Sequence, residues 1–220
     1  MLFRSYHGIL NAYLSHGLFV FGTNDETIQV ADLGARTITP LPLPPLGASV
    51  LAFNWPYVVY LRNDSAASPS PDVVHDLRTN RDVTLAALAR LPQSADTTGM
   101  ALAGDTLFFT TTPVNGSATT LYQLDHMLSP DAAAQPIAIL PAAALGGLVS
   151  ADDRIVFFAG AAWDRMQRRF VINESNTGGG GAGMWLAGNV LAVAVPADTP
   201  GHPYVEQVTI YDTTRLPVRT

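Results

Sequence analysis

Short apolar runs recur along the chain, and each is divided by a tight polar turn. The five runs are 13–21, 53–60, 102–109, 149–158 and 186–193. Their turns end on residues suited to a tight hairpin, namely Gly17, Pro56, Asp105, Asp153 and Asn189. Helical periodicity is confined to 85–91 and 142–145, which are too short for a packed helical layer. The pattern therefore predicts five β-hairpins in an all-β chain.

A second marker follows each hairpin, an apolar strand that closes on an acidic residue. The five copies are Val30-Ala31-Asp32, Val74-His75-Asp76, Gln123-Leu124-Asp125, Ile172-Asn173-Glu174 and Ile210-Tyr211-Asp212. The hairpin turns lie 39, 49, 48 and 36 residues apart, with a mean of 43. This spacing lies within the range of about 40–45 residues for one four-stranded propeller blade. Two markers that recur in the same order indicate a structural repeat.

Each repeat is predicted to contain strands a and b of the hairpin, strand c before the acidic residue, and an outer strand d. The candidate d strands are Thr37–Leu41, Val83–Leu88, Pro136–Leu140 and Leu216–Arg219. Proline in or beside three of them suits an edge strand, where a missing N–H breaks no inner hydrogen bond. The fourth repeat is the exception, since a glycine-rich run, 175–183, follows Glu174 with nothing strand-like. Either that blade lacks its outer strand or the glycine run is a flexible break.

The repeats resemble the β-propeller blades of the WD40-like and TolB-like proteins. The resemblance rests on an inner hairpin followed by a strand, an aspartate and a turn, as in Val30–Gly34, Val74–Asn80 and Ile210–Thr214. It extends over about residues 10–219 but lacks the Gly-His and Trp-Asp pairs of WD40 blades. It implies a propeller architecture and transfers no active site, because propellers carry many unrelated functions.

The predicted fold is a β-propeller of about five four-stranded blades, which either close a ring or form part of a larger one. We expect one domain over 1–220, with approximate blades 10–47, 48–98, 99–145, 146–182 and 183–220. An unclosed ring would expose strand edges, a liability that stable proteins usually avoid. A β-sandwich with the same number of strands is the alternative.

Composition and charge narrow the function without defining it. The chain of 220 residues is 48% hydrophobic and has a net charge of −6, which argues against tracking nucleic-acid phosphates. It contains no lysine and no cysteine, so disulfides, thiolate metal sites and a cysteine nucleophile are excluded. Neither a signal peptide nor a membrane-spanning stretch is recognisable, and a cytoplasmic location is the default expectation. The pattern predicts neither an oligomeric state nor any cofactor.

Ligand-binding groups are expected in the loops between strands b and c, which should emerge on one face. In 159–169, Trp163 lies close to Arg165, Arg168 and Arg169, and such a set could hold a sugar ring, a carboxylate or an acidic peptide. A second candidate loop contains His202 and Tyr204. The other histidines show no metal-binding spacing, so no metal site is predicted. These are His7, His16, His75 and His126.

Catalysis is less favoured than binding. Glycoside hydrolysis needs two carboxylates about 5–9.5 Å apart, but the chain has only three glutamates. The acidic residue that recurs in each repeat is better explained as a turn former. No Gly-x-Ser-x-Gly sequence is present. The leading hypothesis is a non-enzymatic propeller that binds a protein, peptide or carbohydrate through its b–c loops. The alternatives are a glycoside hydrolase and the sensor portion or a truncated piece of a larger protein.

Overall fold

A computed structural model shows strands and turns throughout the part of the chain that it describes, with one short 3-10 helix at Leu88–Arg90. The described residues are 9–42, 47–62, 72–85, 87–90, 95–113, 118–141, 148–158, 161–173, 183–187, 190–196 and 206–212. The strands form separate antiparallel sheets in which neighbours along the chain are also neighbours in space. We number the sheets in chain order and call their successive strands a to d.

The strands of the sheets are as follows. Sheet 1 contains β1 (Ile9–Ser15), β2 (Leu18–Thr23), β3 (Ile28–Asp32) and β4 (Thr37–Pro40). Sheet 2 contains β5 (Ala48–Asn54), β6 (Tyr57–Arg62), β7 (Asp72–Asp76) and β8 (Arg81–Thr84). Sheet 3 contains β9 (Ala95–Ala103), β10 (Thr106–Pro113), β11 (Thr120–Leu124) and β12 (Gln135–Ile139). Sheet 4 contains β13 (Leu148–Ala151), β14 (Ile155–Phe158), β15 (Ala161–Asp164) and β16 (Arg169–Asn173). Sheet 5 contains β17 (Gly183–Ala187), β18 (Val190–Pro196) and β19 (Glu206–Asp212).

The sheets confirm an all-β, propeller-like organisation and correct its details. The prediction of five four-stranded blades is wrong for the described residues, which form four four-stranded sheets and one three-stranded sheet. The predicted outer strand of the last repeat, 216–219, lies outside the described residues. The β-sandwich alternative is also wrong, because the described strands pair in successive meanders of three or four strands and not in two large sheets. Whether 1–220 forms one domain stays a prediction.

The fourth repeat differs most from its prediction. Residues 159–169 were expected to form a long b–c loop, but only two residues separate the end of β14 from the start of β15. Strand c is therefore Ala161–Asp164, and Arg169–Asn173 is the outer strand that the sequence was predicted to lack. Alanines and a glycine weaken the strand signal here, since they lack β-branched side chains. Close packing compensates, because Ala161 and Ala162 are both 1% exposed.

The described chain divides into two compact units. Unit 1 comprises 1–91, 104–107 and 124–134, and unit 2 comprises 92–103, 108–123 and 135–220. In unit 1, alternate residues of sheet 1 face β5 of sheet 2, as the two-residue period of a strand requires. Val20, Ile28, Val58 and Tyr60 are almost fully buried in the resulting core.

The core of unit 2 lies between sheets 3 and 4, where β9 contacts β13. Phe108, Leu121, Val156 and Phe158 are each 0% exposed in this core. Each of these side chains contributes about 1.5–3 kcal/mol through the burial of its apolar surface. The result is a rigid support for the turns at the ends of sheet 4.

Candidate functional site

In sheets 1, 2 and 4, the turns between strands c and d share an anchor, the aspartate that ends strand c. Asp32 Oδ1 accepts the N–H of Ala35 at 2.8 Å, and Asp76 Oδ1 accepts that of Arg78 at 2.9 Å. Asp164 Oδ1 accepts two N–H groups, from Met166 and Gln167, each at 2.9 Å. A short side-chain acceptor at this position satisfies main-chain donors that would otherwise be unpaired in the turn. The aspartates of these sheets thus act as turn formers, as expected from their recurrence.

A second bond ties each c–d turn to the a–b turn of the same sheet. The residue after the aspartate, or two after it in sheet 3, donates its N–H to a carbonyl of the a–b turn. The four bonds are Leu33 to Gly17 at 3.0 Å, Leu77 to Pro56 at 3.0 Å, Met127 to Asp105 at 3.1 Å, and Arg165 to Arg154 at 2.8 Å. Side chains on the remaining turn residues are therefore presented from a braced pair of turns.

The last residue of the four-residue c–d turn adopts the left-handed conformation. Arg36, Asn80 and Arg168 occupy this position in sheets 1, 2 and 4, with φ of 58°, 53° and 53°. Asparagine tolerates the left-handed region better than other residues with a side chain, whereas an arginine there costs about 1 kcal/mol or more. Two of the three turns therefore hold an arginine where the backbone favours asparagine or glycine.

Trp163 was predicted to lie in an exposed loop, but the structure places it elsewhere. It is on β15, is 7% exposed, and packs edge-on against Phe170 with ring centroids 5.0 Å apart. Its neighbour Asp164 is the aspartate that ends strand c of sheet 4. The marker had been assigned to Glu174, which lies outside the described residues. A buried indole offers no face on which a sugar ring could stack.

Two arginines near this turn have structural partners. Arg154 donates from both Nε and Nη2 to Asp164 Oδ2 at 3.1 Å, and the carboxylate is fully buried. Arg165 donates to the carbonyls of Asp152 and Asp153 at 3.2 and 3.0 Å. Its guanidinium also lies 4.8 Å from the centroid of the Phe108 ring. These contacts hold the turn to the sheet and leave neither group free for a ligand.

The remaining side chains of the turn, and that of Arg169 at the start of β16, face solvent. Arg168 and Arg169 are both exposed, and Met166 is 82% exposed. Arg169 donates to Gln167 Oε1 at 2.9 Å, and Arg168 bonds to no residue that the structure describes. We call Met166, Arg168 and Arg169 the sheet 4 tip. It combines two guanidinium groups with one apolar side chain.

The other predicted binding residues, His202 and Tyr204, lie outside the described residues. The predicted arginines follow strand c, so they do not lie in the b–c loop where they were predicted. Arg36 was not predicted as a candidate, although a detectable sequence signal marks it. Arg36 and Arg168 each follow the strand c aspartate by four residues.

A polar cluster on sheet 2 centres on Asp82. Its carboxylate accepts the Tyr60 hydroxyl at 2.9 Å and Arg62 Nη2 at 3.1 Å, and it lies 2.8 Å from His75 Nδ1. Burial, reinforced by the bond to Asp82, raises the pKa of Tyr60 to about 12. Tyr60 is 0% exposed and His75 is 2% exposed, so Asp82 provides a partner for two buried polar side chains. Among the described residues, Arg62 Nε is buried without a hydrogen-bond partner.

The pKa values of Asp72 and His126 are also perturbed. Burial raises the pKa of Asp72, at the start of β7, to about 6. Asp105 lies 2.7 Å from His126 on the surface, and their hydrogen bond and charge interaction raise the pKa of His126. Within the described ranges, His, Asp and Glu side chains form no group of three suited to a metal ion. The described residues also include no helix long and apolar enough to cross a membrane.

Comparison with known proteins supports the fold. No protein-family model matches the sequence, and no curated protein matches it significantly. Among solved structures, TolB from Acinetobacter baumannii has a TM-score of 0.53 at 14% identity, covering 86% of this chain and 47% of its own. A structure from a study of two prolyl endopeptidases has a TM-score of 0.54 at 10% identity, covering 96% and 35%.

A third structure, KlHsv2 with a loop replaced by a Gly-Ser linker, has a TM-score of 0.55 at 10% identity. That match covers 94% of this chain and 63% of KlHsv2. This chain therefore spans about a third to two thirds of the length of these three proteins. At such low identity the likeness shows a shared propeller-like fold and nothing about activity.

Proposed function

We propose that this protein is a non-enzymatic binding module that recognises an acidic segment of a partner protein through the sheet 4 tip. The observation that carries the proposal is Arg168, which is exposed, has no partner among the described residues, and occupies a left-handed position. Local strain of this kind is retained more often at functional positions than elsewhere.

The contacts of the neighbouring residues favour an acidic peptide over the other ligands considered. With Trp163 buried, this turn lacks the aromatic platform that a sugar needs. A guanidinium group forms paired, charge-assisted hydrogen bonds with a carboxylate. Met166 adds a flexible apolar contact, which suits a partner residue next to the acid. The net charge of −6 disfavours a polyanion such as DNA, because the chain as a whole repels it.

The test measures binding of a fluorescently labelled acidic peptide, Gly-Glu-Leu-Glu-Gly, by fluorescence anisotropy. Gly-Gln-Leu-Gln-Gly is the uncharged control. Arg168→Asn removes the guanidinium but installs the residue that sheet 2 already has at this position. Because asparagine relieves backbone strain, the variant should be at least as stable as the parent. Because it lacks the guanidinium, it should bind the acidic peptide about fivefold more weakly.

Arg81→Ala is the matched charge control, because Arg81 is exposed on the outer strand of sheet 2. It should leave the affinity unchanged apart from a small effect of net charge. Equal binding by the parent and Arg168→Asn, or equal binding of the two peptides, would refute the proposal. The glycoside hydrolase and sensor hypotheses remain predictions.

A further inference from the structure

The c–d turn of sheet 1 repeats the features of the sheet 4 tip with different residues. Arg36 is exposed, has φ of 58°, and forms no hydrogen bond with the described part of the chain. Leu33 is 48% exposed in the same turn. The turn is held by Asp32 and by the bond from Leu33 to Gly17, so its exposed side chains rest on a braced backbone.

Sheet 2 shows that the turn does not need these residues. Its left-handed position is occupied by Asn80, and the residue after its aspartate, Leu77, packs against the core of unit 1. The same backbone is thus built with a low-strain residue and a covered leucine. In sheet 1 the equivalent arginine and leucine are both exposed, at a cost in strain and in apolar hydration. Turn formation does not explain that combination.

We infer that Arg36 and Leu33 form a second binding turn, which takes an acidic residue and an adjacent apolar residue of a peptide. The guanidinium of Arg36 pairs with the carboxylate, and Leu33 contacts the apolar side chain. The chemistry is that of the proposed function, but the residues are separate and lie in unit 1 instead of unit 2. The chain then binds two acidic peptide segments, one at each turn.

The absence of lysine makes a direct experiment practicable. The 12 arginines provide all the cationic side chains other than histidine, so their Nε–H groups give a small set of NMR cross-peaks. Single-arginine variants assign the peaks in the full chain. The probe is the acetylated peptide Gly-Glu-Leu-Glu-Gly, with Gly-Gln-Leu-Gln-Gly as its control.

We expect saturable shifts of the Arg36 and Arg168 peaks with the acidic peptide and none with the control. The Arg81 peak should not move, since Arg81 is exposed but lies outside both turns. Arg36→Asn should remove saturable shifts of the sheet 1 backbone amides and leave those around Arg168 intact. Leu33→Ser should weaken binding at this turn about threefold to tenfold, as expected for the loss of one partly exposed apolar contact.

The outcomes separate this inference from the proposed function. Shifts at Arg168 alone would overturn the second binding turn and leave the sheet 4 tip supported. Shifts at Arg36 alone would support the second turn and refute the first. Equal shifts at Arg36 and Arg81 would indicate nonspecific charge attraction and overturn the inference. Retention of the sheet 1 amide shifts in Arg36→Asn would overturn it as well.

Discussion

Asp164 is the carboxylate on which the geometry of sheet 4 depends most. Its side chain is 0% exposed and accepts hydrogen bonds from two turn N–H groups and from Arg154. Asp164→Ala leaves these donors without an acceptor. A broken buried pair costs about 3–5 kcal/mol, and the low end applies because Arg154 is 37% exposed and can reach water. We expect unit 2 to lose about 3 kcal/mol of stability.

Asp32→Ala is the matched control, because Asp32 occupies the same position in sheet 1. It accepts one turn N–H and lies at the partly exposed end of β3, so its loss should cost about 1 kcal/mol. The loss of stability in Asp164→Asn should lie between those of Asp32→Ala and Asp164→Ala, since the amide oxygen still accepts hydrogen bonds but the charge that pairs with Arg154 is gone.

Native-state hydrogen exchange measures the two units separately. The amides of β15 should exchange about 150-fold faster in Asp164→Ala, because 3 kcal/mol corresponds to about two decades in an opening equilibrium. The amides of β2 should exchange about fivefold faster in Asp32→Ala. If exchange accelerates in Asp164→Ala no more than in Asp32→Ala, then burial and the number of donors do not set the loss of stability.

Three further predictions concern backbone strain and ionisation. Gly17 has φ of +76° and Gly22 does not have positive φ, yet a Cβ would meet nothing within 4 Å at either residue. Gly17→Ala should therefore lose about 1 kcal/mol in urea denaturation, whereas Gly22→Ala should be neutral or stabilising. Burial raises the pKa of Asp72 from 3.8 to about 6, so its contribution to stability is complete below the lower value and is lost as the pH rises through the higher one. The difference in free energy of unfolding between Asp72→Asn and the parent should therefore grow by about 1–2 kcal/mol in favour of the variant from acidic to neutral pH. A difference that does not depend on pH would contradict burial of the charge as the cause. The pKa of His126 lies above 6.5 because of Asp105, and Asp105→Asn should lower the midpoint of its NMR titration; an unchanged midpoint would exclude Asp105 as the cause.

The repeat itself could be predicted from sequence, because hairpin turns and strand-ending aspartates are local signals. β1, β2 and β3 lie where strands a, b and c of the first repeat were predicted, although β1 begins four residues before the apolar run 13–21. The outer strands β4 and β12 are within one residue of the predicted 37–41 and 136–140. The outer strand of sheet 2 was placed too late, at 83–88, whereas β8 is Arg81–Thr84. Outer strands are short and exposed, so they lack the alternating pattern that identifies inner strands.

The candidate site could be predicted only in part. Arg165, Arg168 and Arg169 were identified by their density along the chain, but their location depended on recognising Ala161–Asp164 as a strand. That recognition failed because small side chains signal a strand only through tertiary packing. The left-handed conformation of Arg36 and Arg168 could not be inferred, since arginine carries no preference for it.

The bond that joins each c–d turn to its a–b turn uses main-chain atoms on both sides. The accepting carbonyl belongs to glycine, proline, aspartate or arginine in sheets 1 to 4, at Gly17, Pro56, Asp105 and Arg154. Selection that maintains this bond therefore places little restriction on which amino acid supplies the oxygen. The sheets can accumulate substitutions at these turns over evolutionary time while their geometry is inherited unchanged. An engineer could likewise vary the turn residues between successive sheets and keep the same support.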